Sequence, residues 1–270
     1  MRIVSDTEID LERETVNVIA DSPTGSADRV VVVGAHLDSV IAGPGINDNG
    51  SGVSTILEIA EEMAELGIRN RQKVRFAFWG AEELGLLGSE HYVANLSDDE
   101  LGTIVANLNF DMLGSPNYVR FVYDGDGSAG GPVGPPGSAQ IEEVFTSYFA
   151  SQGLASDPTP FDGRSDYGPF IAVGIPAGGL FSGAEGVKTE EQAAVYGGTA
   201  GEPYDPCYHQ ACDDITNLST KALFELGDAT AHAVMTLARS RTGLFEDGSF
   251  RVGARAGLSA QRSFSSQAAA

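Results

Sequence analysis

The sequence is poor in basic residues. Lys and Arg number 16 against 38 Asp and Glu, a formal net charge of -22. Nucleic acids and anionic membranes recruit Lys and Arg, so neither is an expected partner. The excess of acid reads as a highly soluble surface, with which a halophilic or extracellular setting would also agree. No apolar run approaches the roughly 18 residues that a membrane span needs. The opening stretch, MRIVSDTEIDLERETV, holds no apolar core segment and no cleavage-site pattern, so it does not read as a signal peptide. Two catalytic signatures are missing too. HExxH is absent, which excludes a single zinc held on one helix. No GxSxG elbow occurs, and Ser54 falls inside a helical pattern, so serine catalysis fits poorly.

Cysteine is scarce. Cys207 and Cys212, in CYHQAC, are the two in the chain. Their spacing favours a local disulfide and an oxidising compartment, with two reduced cytosolic thiols as the alternative. Closing so small a loop removes little chain entropy. The better use of the bond is to fix the loop that carries His209.

What is present alternates between two periods. TVNVIAD (15–21) reads as a strand, followed by a turn in SPTGSAD. VVVGAHLDSV is nearly continuous and apolar, the pattern of a strand buried on both faces. Val53, Ile56, Leu57, Ala60, Met63 and Ala64 form a helical stripe, with Glu58, Glu61, Glu62 and Glu65 on the solvated side. KVRFAFWG, TIVANLNFDML, YVRFVYD and IPAGGLFSG read as strands. LGLLGSEHYVANL, SAQIEEVFTSYFASQG and TKALFELGDATAHAVMTLARS read as helices. The alternation predicts one α/β domain with a mixed, mostly parallel sheet between helices. That domain spans 1–240; residues 241–270 form a polar tail expected to be disordered, and the Gly/Pro-rich 125–138 a long mobile loop.

Chemistry-bearing residues stand where these strands end. His36 and Asp38 close one, Asp48 lies in the loop beyond it, Glu82 and Glu83 follow another, and Asp111 ends a third. A parallel sheet gathers such ends along one edge, and His209 can join them from its late loop. Two imidazoles with several carboxylates suit Zn²⁺, with Mn²⁺ or Co²⁺ as other candidates. Carboxylates so close cannot all ionise without added positive charge, which a pair of divalent cations supplies. His91 and His232 lie in helical patterns without acidic clusters and read as structural.

These stretches carry a resemblance. GAHLDSV, GINDNGSGVSTILEIA, FAFWGAEELGLLGSEHYV, NLNFDML, GRSDYGPF, GIPAGGLFSGAE and YHQACDD resemble, in order, the secreted zinc aminopeptidases of the Streptomyces and Aeromonas type. The resemblance covers most of residues 15–240. It implies a zinc-exopeptidase fold (phosphorylase/hydrolase-like) and two Zn²⁺ per chain. It implies His36 on one ion, His209 on the other, Asp48 bridging, and Asp111 and Glu83 on opposite ions. Glu82 becomes the general base and acid, and Asp38 the partner that orients the His36 ring. Tyr208 would stabilise the oxyanion, Arg164 would lie where the substrate's amino end is held, and Phe181 would line an apolar pocket. The implied substrate is the N-terminus of a peptide or protein with a large apolar first residue, and the implied protein is secreted and monomeric. The family pattern places a leader and some tens of residues ahead of the strand matched by TVNVIAD, where this sequence has fourteen. No stretch matches the calcium site of some relatives.

The same scaffold admits other readings. A carboxypeptidase or deacylase would insert a dimerisation domain for which the chain has no room. A glutaminyl cyclase would bind one zinc, and a non-catalytic binding domain would lack some ligands.

Overall fold

Six consecutive residues, Val30–Ala35, are almost wholly buried, and they run through the middle of the sheet. In the computed structural model, which describes residues 14–245, 248 and 249, they belong to β2 (Ser26–His36). The remaining strands are β1 (Val18–Asp21), β3 (Gln72–Trp79), β4 (Ile104–Phe110), β5 (Phe121–Tyr123), β6 (Asp157–Thr159) and β7 (Ala177–Phe181). Their order across the sheet is β1-β3-β2-β4-β7-β5-β6. β3, β2, β4 and β7 run parallel, as do β5 and β6, whereas β1 and β5 meet their inner neighbours antiparallel. The sheet is therefore mixed and mostly parallel, as the alternation predicts.

Helices cover both faces. On one side α1 (Gly52–Glu65), α4 (Ser138–Ser151) and α7 (Thr220–Arg239) enclose Val31, Val33, Val74, Phe76, Leu108 and Phe110. On the other, α2 (Leu87–Ala94), α3 (Asp98–Leu101) and α5 (Gly168–Ala172) pack Val93, Leu101 and Phe170 on Val30, Val32, Ala77 and Trp79. A further short helix, α6 (Glu190–Tyr196), starts in a capping box in which Thr189 and Gln192 bond each other's backbone.

The structure corrects several boundaries. β2 begins at Ser26, inside the stretch expected to turn, and β1 begins only at Val18. β6, α3, α5 and α6 have no counterpart in the expected list, because three to seven residues give periodicity too little length to register. In α1 the buried stripe runs through Thr55, Ile56, Ile59 and Met63, while Leu57 and Ala64 face outward. From residue 250 onward the expected polar tail lies outside the described residues.

Candidate metal centre and its cleft

The carboxyl ends of β2, β3 and β4 lie side by side, and each is followed by a residue of the predicted set. His36 is the last residue of β2, and its register partner across the ladder is Trp79, which ends β3. Glu82 and Glu83 follow Trp79 by three and four residues, and Asp111 follows the last residue of β4. Asp48 comes from a kinked helical turn, Ile46–Ser51, that leads into α1. His209 comes from the loop 207–212, closed by a disulfide between Cys207 and Cys212. That loop holds His209 at φ 57°, a left-handed conformation unusual for a residue other than glycine.

The side chains converge. One carboxylate oxygen of Asp48 lies 3.1 Å from His36 Nε2 and the other 3.2 Å from His209 Nε2. Asp111 Oδ1 stands 3.2 Å from His36 Nε2, and Glu83 Oε2 3.0 Å from His209 Nε2. Two triads result, His36–Asp48–Asp111 and His209–Asp48–Glu83, and they share Asp48. The five metal ligands expected from the sequence thus meet in one place, and Glu82 joins them, its carboxylate within 4.8 Å of ligand atoms of His36 and Asp111.

Asp38 contacts both His36 and the two glutamates. Its carboxylate accepts hydrogen bonds from the backbone N–H groups of Glu82 (2.9 Å) and Glu83 (3.2 Å). The carboxylate stays 3.7 Å from His36 Nδ1, which lies instead 3.0 Å from the carbonyl oxygen of Asp38. Asp38 therefore orients the imidazole through its main chain and the two glutamates through its side chain.

A supporting layer escaped the sequence reading. Asp213 accepts from the backbone N–H groups of Asn47 (2.9 Å) and Asp48 (3.0 Å), fixing the kinked turn from below. Asn49 caps the start of α1 and also accepts from Met112 N–H, tying that turn to the end of β4. Ser165 donates to Asp111 Oδ2 at 2.6 Å and itself accepts from Asn109 at 2.8 Å. Gly52 is required here, since a β carbon would lie 2.3 Å from the carbonyl oxygen of Phe110. Asp213, Ser165 and Asn109 fall within YHQACDD, GRSDYGPF and NLNFDML, stretches that carry the family resemblance, but nothing in those stretches singles out these three residues.

The electrostatics show what the cluster lacks. Burial, and then the charge of Asp111, push the Glu82 carboxyl up to about 9. Burial, and then Asp48, push Glu83 up to about 7. Burial also opposes ionisation of Asp48, yet hydrogen bonds from His209 and His36 outweigh it and hold that group at about 2. Burial opposes charge on His36 as well, but Asp111, Asp38 and Asp48 raise its pKa well above the ordinary value. The second oxygen of Glu83, Oε1, is buried without a hydrogen-bond partner. Protons on imidazoles and glutamates thus do work that divalent cations would do better, so the donor set fits metal ions.

The cluster opens into a cavity of about 260 Å³. Phe121, Phe181, Met112 and Tyr204 give it apolar wall, and Phe181 stacks on Phe121 with ring centroids 6.0 Å apart. Tyr208 and Arg164 also line it. The Tyr208 ring lies on the His209 imidazole, centroids 3.8 Å apart, and its hydroxyl accepts from Arg164 at 3.2 Å. His91 and His232 are exposed and stand in α2 and α7, His232 against Tyr148.

The sequence profile of peptidase family M28 matches residues 17–234. The chain belongs to that family. It is 56% identical over 227 residues to an aminopeptidase of Pseudomonas aeruginosa, covering 84% of this chain and 42% of that protein. To a probable leucine aminopeptidase 2 of Aspergillus oryzae it is 53% identical over 226 residues, covering 84% and 45%. The chain thus spans less than half the length of these M28 relatives. A zinc aminopeptidase from Bacillus subtilis has the same fold, with a TM-score of 0.68 at 32% identity over 86% of this chain and 53% of that one. A glutaminyl cyclase from an Acidobacteriales bacterium aligns with a TM-score of 0.61 at 20% identity over 82% and 73%, which shows the fold alone.

Proposed function

We propose that this M28 chain is the catalytic part of an aminopeptidase that binds two zinc ions and removes large apolar residues from peptide N-termini. The observation that carries the reading is the sharing of Asp48: each of its oxygens faces a different histidine, and each histidine has its own second carboxylate. In this reading His36 and Asp111 hold one ion, His209 and Glu83 the other, and Asp48 both. The names of the related aminopeptidases support it.

When bound, such a pair of cations supplies Lewis acidity and a nucleophile at neutral pH. The chain's own residues do the rest. Glu82 lines the cavity close to His36 and Asp111; in this reading it binds no ion, takes a proton from the attacking water and passes it to the departing amine. Asp38 aims the Glu82 backbone at that task. Tyr208 offers its hydroxyl to the carbonyl oxygen as charge develops there. The segment carrying Arg164 flanks the place for the free amino group. Phe181, Phe121 and Met112 supply an apolar surface for the first side chain.

The disulfide is consistent with a secreted protein, and among the described residues no helix is long and apolar enough to cross a membrane. We assign the protein to the extracellular space, acting as a monomer.

Cleavage of leucine p-nitroanilide, with and without a chelator, tests the activity, and elemental analysis counts the ions. Chelator-sensitive release with two zinc ions per chain is the expected result. One zinc per chain with cyclising activity would replace this reading by that of a glutaminyl cyclase. Two bound ions with no cleavage of any aminoacyl anilide would leave a binding domain.

A further inference from the structure

Tyr208 touches one cation besides the histidine it stacks on. Arg164 Nη2 donates to the Tyr208 hydroxyl oxygen at 3.2 Å. A guanidinium has only donors, so this contact fills the acceptor side of the phenol and leaves its hydrogen to point elsewhere. A positive donor on the oxygen also makes the O–H a stronger donor in turn.

Arg164 is itself held at two further points. Its Nη1 donates to Glu185 at 2.7 Å, and its backbone N–H donates to Asp162 at 3.0 Å. Asp162 is fixed by the hydroxyl of buried Tyr167 at 2.8 Å. The Arg164 and Glu185 side chains are each 55% exposed, and an ion pair so open to water contributes little to stability. Yet both line the cavity that holds Glu82, Asp48 and Tyr208.

We propose that Arg164 is a positioning residue for Tyr208, turning the phenolic hydrogen toward the scissile carbonyl, and that Glu185 holds Arg164 in place for that role. The inference rests on the assignment of Tyr208 as donor to the carbonyl oxygen. It differs from direct recognition of the substrate by the Arg164 side chain, which would act on binding and independently of Tyr208.

The test is a double-mutant cycle on the zinc-loaded protein with leucine p-nitroanilide. Tyr208→Phe should lower kcat on the order of 100-fold. Arg164→Met should lower kcat about tenfold with KM nearly unchanged, and Glu185→Gln less. Arg164→Lys should restore part of the loss. The double variant Arg164→Met/Tyr208→Phe should be no slower than Tyr208→Phe alone, because the arginine then has nothing left to orient. A second readout needs no turnover. In metal-free protein labelled at the tyrosine ζ carbon, the NMR resonance missing from Tyr208→Phe should shift in Arg164→Met and in Glu185→Gln. Additive losses, a rise in KM alone, or an unmoved resonance would overturn the proposal while leaving the assignment of Tyr208 intact. Normal turnover by Tyr208→Phe would sink that assignment, and this inference with it.

Discussion

Asp48 divides its carboxylate between His36 and His209, with one oxygen 3.1 Å from the first and the other 3.2 Å from the second. No other residue of the cluster touches both histidines in this way. In the proposed two-zinc reading, Asp48 is the one ligand whose loss affects both ions. Asp48→Asn keeps the size of the side chain and removes its charge. Such a protein should fold, as read by circular dichroism, yet retain less than about one zinc after dialysis, where the parent keeps about two. Full zinc content in the variant would break the bridging assignment.

Glu82 gives the opposite result. Its carboxyl comes close to His36 and Asp111 and lines the cavity, yet makes no ion pair with either histidine, and the proposed reading gives it no ion to hold. Glu82→Gln should therefore bind zinc as the parent does while kcat falls by about 100-fold to 10,000-fold, the usual range for losing a general base. Metal analysis and steady-state kinetics on one preparation decide it. Normal turnover would remove Glu82 from the mechanism.

Much of this centre could be read from the sequence, for a physical reason. In a parallel sheet the strand ends form a row, so a His or Asp that closes a buried apolar run is already placed. His36, after Val30–Ala35, and Asp111, after the buried β4, were visible on that ground. His209 was not, because its loop follows no strand directly; only the family resemblance and the paired cysteines marked it. Asp213, Ser165 and Asn109 act through bonds that join segments far apart in the chain, and no local period reports such a bond. The outward turn of Leu57 follows from helix geometry. In α1 the buried stripe runs from Ile56 to Ile59 and Met63, which join the cluster shared with α7 and the sheet, and Leu57 lies on the other side of Ile56 from Ile59.

The disulfide should matter more to one ion than to the fold. Closing a loop this short stabilises the chain by about 2 kcal/mol on the entropic account. The same loop, however, holds His209 in its left-handed conformation. The Cys207→Ser/Cys212→Ser double variant should melt a few degrees lower. It should also release one of its two ions to a weak chelator far sooner than the other. In the proposed reading the ion that leaves is the one assigned to His209 and Glu83, and spectroscopy of a cobalt-substituted protein can identify it. Equal loss of both ions, or of neither, would contradict this account.

Asp166 gives a prediction about pH. Its side chain is almost wholly buried; Oδ1 accepts from Ser89 at 2.5 Å, and Oδ2 has no partner. Burial pushes its carboxyl up to about 7, against an ordinary value of 3.8. The folded state thus holds a proton on Asp166 that the unfolded chain has already lost. Between those two values the native state binds more protons, so stability falls as pH rises. Below about pH 4 both states are protonated and the penalty vanishes, whereas above about pH 7 it is complete, near 4 kcal/mol at most. Asp166→Asn keeps the acceptor for Ser89 and removes the titrating charge. In the metal-free protein, denaturant unfolding should show the two forms nearly equal at pH 4 and the variant more stable at pH 8. A parallel pH dependence for the two would mean that the buried acid does not control this part of the stability.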